Sequence, residues 1–151
     1  MRRVSPALLF PLLLAGCAAW GERGSAVHEL ARREPAVAWQ AGSLVRGDLD
    51  GDGAGDYALA GRKGELFVVG ILQGPPAKAG RHWTLEFPIG GEDQDALCSP
   101  AARLRLEELE GVPPEATPPA GNRGLALHDE RCDAFHIYWD SAKKSFAYWR
   151  L

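Results

Sequence analysis

Four carboxylates crowd into one short stretch of the chain, Gly47-Asp48-Leu49-Asp50-Gly51-Asp52-Gly53-Ala54-Gly55-Asp56-Tyr57. Their spacing, D-x-D-x-D-G-x-x-D, suits a hard cation, which gathers roughly six to eight oxygens at once. Alternate residues of a tight loop can turn their side chains toward one centre. Gly53 stands at the sixth place, where the chain must bend sharply, and the carbonyl of Ala54 at the seventh can add a backbone oxygen. Without a cation, Asp48, Asp50, Asp52 and Asp56 repel one another. A donor set made only of oxygen selects Ca²⁺ over Zn²⁺ or Cu²⁺. The competing reading is a solvated acidic turn held by Asx-type hydrogen bonds.

Such a loop keeps its shape only if rigid elements carry its ends. From Val37 onward the chain reads as short strands divided by Gly and Pro. Glu65 to Leu72 is nearly all apolar and β-rich between Gly64 and Gly74, the pattern of a central strand buried on both faces. In His82 to Phe87, Trp83, Leu85 and Phe87 share one face, and Ala102, Leu104 and Leu106 alternate in the same way with Arg103, Arg105 and Glu107. Ala134 to Trp139 and Phe146 to Leu151 flank DSAKKS, which predicts a hairpin. GPPAKAG and GVPPEATPPAG lack periodicity and are expected as surface loops. One helical turn is expected near Asp93–Leu97, and no amphipathic helix after residue 37. The fold class is therefore mainly β: a small single antiparallel domain of short strands and hairpins over residues 37–151. The aromatics Phe135, Tyr138, Trp139, Phe146, Tyr148 and Trp149 serve either as cross-strand core pairs or as a stacking platform for a ligand.

The segment GDLDGDGAGDYALA begins like an EF-hand, but Leu59 occupies the twelfth place, where the bidentate Glu belongs, and strand-like residues follow directly. It resembles instead the FG-GAP or VCBS repeat, a Ca²⁺-binding hairpin loop of propeller blades and bacterial surface proteins. The resemblance covers Ser43 to Leu72 and implies Asp48, Asp50, Asp52 and Asp56 as side-chain ligands. A closed propeller needs roughly four or more blades, and the acidic loop occurs once in 151 residues; a free-standing β domain is expected. GNRGLALHDE, at 121–130, is at most a faint echo. With no EF-hand helices to open, the expected role of the ion is structural, fixing a turn between two strands.

The first twenty residues, MRRVSPALLFPLLLAGCAAW, have a basic start and an apolar run from Val4 to Gly16. That run is shorter than the roughly 20 residues of a spanning helix and fits a secretory signal peptide over residues 1–16. Leu14-Ala15-Gly16-Cys17 resembles the lipobox of bacterial lipoproteins. The resemblance implies cleavage before Cys17, thioether lipidation of Cys17 and acylation of the new amino terminus; the other reading is an ordinary signal with an incidental Cys. Ala18 replaces the Asp that would mark inner-membrane retention, which by analogy points to the outer membrane facing the periplasm. Residues 17–36 are expected as the lipidated terminus and a flexible tether, with a short helix from Ser25 to Glu34, stopped by Pro35, as the other possibility.

Export places Cys98 and Cys132 in an oxidising compartment, where a disulfide is expected, worth roughly 3–4 kcal/mol. A metal-binding or catalytic thiol pair is the other reading, without a close C-x-x-C to carry it. The net charge of −3 lacks the clustered basic face a nucleic-acid binder needs. The histidines His28, His82, His128 and His136 are scattered, and no H-E-x-x-H, G-x-S-x-G or phosphate-cradling glycine loop occurs. The expected function is a non-enzymatic envelope lipoprotein with a Ca²⁺-stabilised β domain that binds another envelope protein or polymer. A metal-independent periplasmic inhibitor or assembly accessory is the alternative. A small hydrolase would have to rely on paired carboxylates.

Overall fold

The computed structural model describes residues 15–78, 80–90, 93–121 and 123–150, with the backbone alone for residues 15–20. The signal peptide expected at 1–16 lies, except for its last two residues, outside the described residues, as does the side chain of Cys17.

The alternating and apolar runs fold into two antiparallel sheets. The first holds β1 (Ala38–Trp39), β2 (Val45–Gly47), β3 (Asp56–Lys63), β4 (Leu66–Leu72) and β5 (His82–Pro88). β1 and β2 share one edge of β3, with Trp39 opposite Gly61 and Val45 opposite Ala58, and β4 and β5 follow on the other edge. The second sheet is a plain meander of β6 (Arg103–Glu108), β7 (Arg123–His128), β8 (Phe135–Asp140) and β9 (Ser145–Arg150). The predicted final hairpin is present, closed by the Asp140–Ser145 pair.

One core fills the space between the sheets. Ala58, Ala60, Phe67, Val69, Ile71 and Phe87 of the first sheet meet Leu104, Leu125, Leu127, Phe135, Ile137 and Phe146 of the second. The rings of Phe87 and Phe135 approach to 4.8 Å, and those of Trp83 and Trp139 to 5.7 Å. The expected face of Trp83, Leu85 and Phe87 is thus the core face of β5. Leu106, expected beside Leu104, is instead 39% exposed and lies across Gly47.

The opposite face of the first sheet is also covered, so β4 is buried on both sides as its apolar run predicts. The cover corrects the expectation of a flexible tether at 17–36: residues Ala15–Arg33 form α1. Ala26 and Leu30, one turn apart, are fully buried against Tyr57, Leu59 and Leu72, with Val27 beside them. A narrow apolar stripe suffices because the sheet already offers an apolar face, whereas averaged over the segment the composition looks polar. The helix stops where Pro35 disfavours helical geometry at Glu34. His82 on β5 bonds both Arg33 (3.2 Å) and Glu34 (3.1 Å) and pins this end. Under the helix, the indole of Trp39 crosses β4 at Gly70, where a Cβ would collide with the ring. No described helix is long and apolar enough to cross a membrane.

Asp93–Leu97 is a turn closed by the Ala96 N–H on the Asp93 carbonyl, not a helical one. The short helical turns fall at Ala41–Ser43 and Pro76–Lys78.

Candidate metal site in the loop between β2 and β3

The Gly47–Asp56 pair closes a hairpin whose connection is the acidic loop. Leu49 anchors it: flanked by Asp48 and Asp50, it is 1% exposed and belongs to the core between the sheets. Burying this side chain turns its two acidic neighbours away from the core. One oxygen from each of Asp48, Asp50 and Asp56 lies within 4.8 Å of the others. Asp52 stands outside this group and accepts the Ala54 N–H at 2.7 Å.

Each carboxylate is held by protein donors. Asp48 accepts the N–H groups of Gly51 (2.8 Å) and Gly53 (3.0 Å). Asp50 accepts the Asp52 N–H (3.0 Å) and the side-chain amide of Gln73 (2.7 Å). Asp56, with no exposed surface, accepts the N–H groups of Leu49 and Gly74, both at 2.9 Å. Gln73 is in turn fixed by the indole N–H of Trp83 at 3.2 Å. The turn after β4 is therefore a second wall of the site, which the acidic spacing did not reveal. The available signal was Gln73-Gly74 directly after the buried strand: a polar side chain and a free N–H where the sheet ends.

The electrostatics favour a cation. Burial pushes the Asp56 carboxyl from 3.8 up to about 6, and the charges of Asp50 and Asp52 add to the rise against the two N–H bonds. Asp50 is raised too, by burial first and then by Asp52 and Asp48, although the Asp52 N–H opposes the shift. Two unit charges about 5 Å apart repel by roughly 3 kcal/mol at an effective dielectric constant near 20. That is as much as the net worth of a strong charged hydrogen bond, about 1.5–3 kcal/mol. The donors close the loop without making three adjacent anions comfortable. The oxygen-only set fits Ca²⁺: Asp48, Asp50 and Asp56 would hold the ion, which would supply positive charge to the cluster.

A second cluster brings Cys98, Asp129 and Cys132 together. The two cysteines form the expected disulfide, with Cα atoms 6.0 Å apart, so neither sulfur is a thiolate ligand. Asp129 is 2% exposed and accepts the N–H groups of Cys98, Ser99, Arg131 and Cys132. Burial acts to raise its pKa, but the four amides outweigh it and the pKa is lowered. Four donors use all the in-plane lone pairs of a carboxylate.

The ionisable residues around Cys132 point different ways. His128 and Asp133 are exposed while Asp129 points inward to backbone amides. Glu107 bonds His136 at 2.9 Å, and His136 stacks on Trp149 with ring centres 5.0 Å apart. Among the aromatics, Phe135, Trp139, Phe146 and Tyr148 pack in the core, whereas the buried Tyr138 and half-buried Trp149 contact each other between β8 and β9 on the opposite face, where His136 stacks on Trp149. A groove of about 440 Å³ between α1 and Pro76-Ala77 has His28 and Glu29 as its ionisable lining among the described residues. No family model matches the chain, and no curated protein or solved structure matches it either.

Proposed function

We propose that this chain is a non-enzymatic, lipid-anchored envelope protein whose β domain is stabilised by one Ca²⁺ and binds another envelope component. The observation that carries the metal reading is the convergence of Asp48, Asp50 and Asp56 to within 4.8 Å around a buried, proton-avid Asp56. In this proposal Asp52 and the Ala54 carbonyl complete the oxygen set, and Cys17 carries the lipid at an outer membrane facing the periplasm. Extracellular-type modules bind Ca²⁺ with dissociation constants of about 10⁻⁴–10⁻³ M, so millimolar calcium fills even a weak site.

The test is thermal unfolding of the full chain in detergent, with Ca²⁺ and with chelator. A ligand at a hundredfold its dissociation constant stabilises by about 2.7 kcal/mol, a shift of several degrees for a domain of this size. Identical melting in both conditions, with Asp50→Ala also silent, would sink the metal reading. Mass spectrometry of the amino-terminal peptide checks the lipid at Cys17. Crosslinking in intact envelopes with and without Ca²⁺ identifies the partner.

One observation favours the second reading, a metal-independent inhibitor or assembly accessory. All four aspartates of the loop already have N–H donors, so the turn can close without an ion. Capture of one specific envelope enzyme or assembly complex, unchanged by chelator, would select it.

A further inference from the structure

β6 ends the second sheet: it pairs with β7, and among the described residues no backbone hydrogen bond reaches its other edge. An unpaired edge offers a row of N–H and C=O groups to another extended chain. Successive side chains of a strand alternate between its faces. With Leu104 in the core, Leu106 and Glu108 share its side, and Arg103, Arg105 and Glu107 line the outer face. Leu106, at 39%, is the one exposed large apolar side chain among the described residues. Across the ladder Arg105 and Glu107 meet Ala126 and Gly124, which are too small to cover them. Arg103 is paired with Glu130 at 3.4 Å, whereas Arg105 has no ion pair among the described residues. Glu107 bonds His136 at 2.9 Å and keeps lone pairs for a second donor.

We infer that β6 is a dimerisation edge, along which two copies of this chain join antiparallel about a two-fold axis at Leu106. A two-fold antiparallel pair sets one residue opposite itself and its neighbours opposite each other reciprocally. Charge selects the centre, because opposite charges facing across a ladder stabilise it and like charges destabilise it. Centred on Leu106, the pairing puts Leu106 against Leu106 and, twice over, Arg105 against Glu107 of the second copy. Centred on Arg105 or Glu107, it would set that charge against itself; centred on Leu104, it would set Arg103 against Arg105. The chosen register also brings Glu108 of the second copy opposite Leu104, beside a groove of about 290 Å³ lined by Gln40, Gly42, Ser43 and Arg105 among others. A uniformly acidic peptide would meet Arg105 but also Glu107 and Glu108, so the mixed charge of the strand favours its own copy. An edge of six residues is short. It buries less than the roughly 1,200 Å² of a stable interface, so the dimer is weak, with a dissociation constant on the order of 10⁻⁴ M.

Sedimentation of the full chain in detergent, from well below that concentration to tenfold above it, is expected to show a reversible dimer. Arg105→Glu and Glu107→Arg, each alone, bring like charges together and are expected to weaken it about tenfold or more. Mixed in equal amounts, the two variants are expected to dimerise again, because both charge pairs are then restored with reversed sign. Hydrogen exchange on the wild-type chain reads the edge without any substitution: amides at 103–108 should slow as the dimer forms. A monomer at every concentration would overturn the proposal. So would a dimer that survives both single variants, no recovery on mixing, or exchange at 103–108 that ignores concentration. Protection of β6 that needs added envelope extract, with the pure chain monomeric, would give the edge to another partner and likewise overturn it. Should either variant fail to fold, the wild-type exchange decides.

Discussion

Asp56 and Asp129 occupy matching places and behave in opposite ways. Asp56 opens β3, Asp129 directly follows β7, both are buried, and both accept backbone N–H bonds. Yet burial and carboxylate neighbours push Asp56 up to about 6, while Asp129 is held below its ordinary value. Asp129 has four amides; Asp56 has two and shares its space with Asp48 and Asp50. Asp140, buried at the end of β8, follows the pattern of Asp129: the Lys143 and Ala142 N–H groups and the Lys143 ammonium lower its pKa despite burial. A buried aspartate that the backbone satisfies is a structural clasp. One left in excess negative charge is, in the function proposed above, the place for the cation.

The strongest test of this contrast is truncation of the clasp. Asp129→Ala takes the carboxylate away from four N–H groups, those of Arg131 and Cys132 within reach of water. A lost hydrogen bond to a charged group costs roughly 1.5–3 kcal/mol where water does not replace it. A loss on the order of 4 kcal/mol or more is expected in urea unfolding, about as large as the loss of the Cys98–Cys132 bridge, roughly 2–5 kcal/mol. Asp56→Asn in chelator is expected to cost about 1 kcal/mol or less, because one hydrogen bond is kept and a repelled charge is removed. Equal losses at the two positions would show that Asp56 is a clasp as well.

Calcium should then separate the loops cleanly. The Asp56→Asn chain is expected to lose the wild-type gain of about 2–3 kcal/mol in saturating Ca²⁺. A disulfide-free variant, Cys98→Ala with Cys132→Ala, should keep that gain in full if it folds, since its lesion lies at the other loop. A chain that binds calcium only with the disulfide intact would tie the two regions together.

The pH dependence tests the same contrast with a smaller effect. In chelator, Asp56 binds its proton more tightly folded, near pH 6, than unfolded, near 3.8. The folded state therefore holds more protons in that interval, and stability rises as pH falls from about 7 toward 4, by roughly 1–2 kcal/mol after allowance for screening. Asp129 and Asp140 have lowered folded values, so their contributions are complete above the unfolded value and are lost as pH falls through the folded ones. Denaturant midpoints in chelator should peak in mildly acid solution. In Ca²⁺ the upper limb should reverse, because the proton competes with the ion at Asp56. A chelator curve flat from pH 7 to 4.5 would deny Asp56 its excess charge.

The parts of this contrast that the sequence displayed are the local ones. Alternation in His82–Phe87 and the apolar run of Leu66–Leu72 are imposed by which face is buried, so the strands and the last hairpin could be read directly. The acidic spacing likewise picked out three carboxylates, Asp48, Asp50 and Asp56, that converge. Contacts made across the fold left no periodic trace: Gln73 and Gly74 reach the site because β4 ends beside it, and Ala120 comes against Gly51 from the connection between β6 and β7. The helix was legible only in part: its end near Pro35 fits the alternative helix of Ser25 to Glu34, but its start at Ala15 does not. Its narrow stripe of Ala26, Val27 and Leu30 counts as apolar only against the face of Tyr57, Leu59 and Leu72. Asp129 carries no mark in the sequence beyond its place after His128, since only the folded backbone supplies its amides.

Asp52 gives the finest division. The resemblance to the calcium repeat makes it an equal ligand, but in the structure its oxygen holds the Ala54 N–H and stands apart from the group of three. Asp52→Asn keeps an oxygen for that amide and removes one charge that raises both Asp50 and Asp56. In chelator the variant should therefore be slightly more stable than wild type, by a few tenths of a kcal/mol, the scale of a partly exposed charge interaction. Its calcium affinity should fall only a few-fold, because the amide oxygen can still ligate and the loop keeps its turn. Calorimetry on Asp52→Asn beside Asp50→Asn makes the comparison. If both lose binding entirely, Asp52 must swing inward to meet the ion, and the three-membered cluster is only the resting form of a four-membered site.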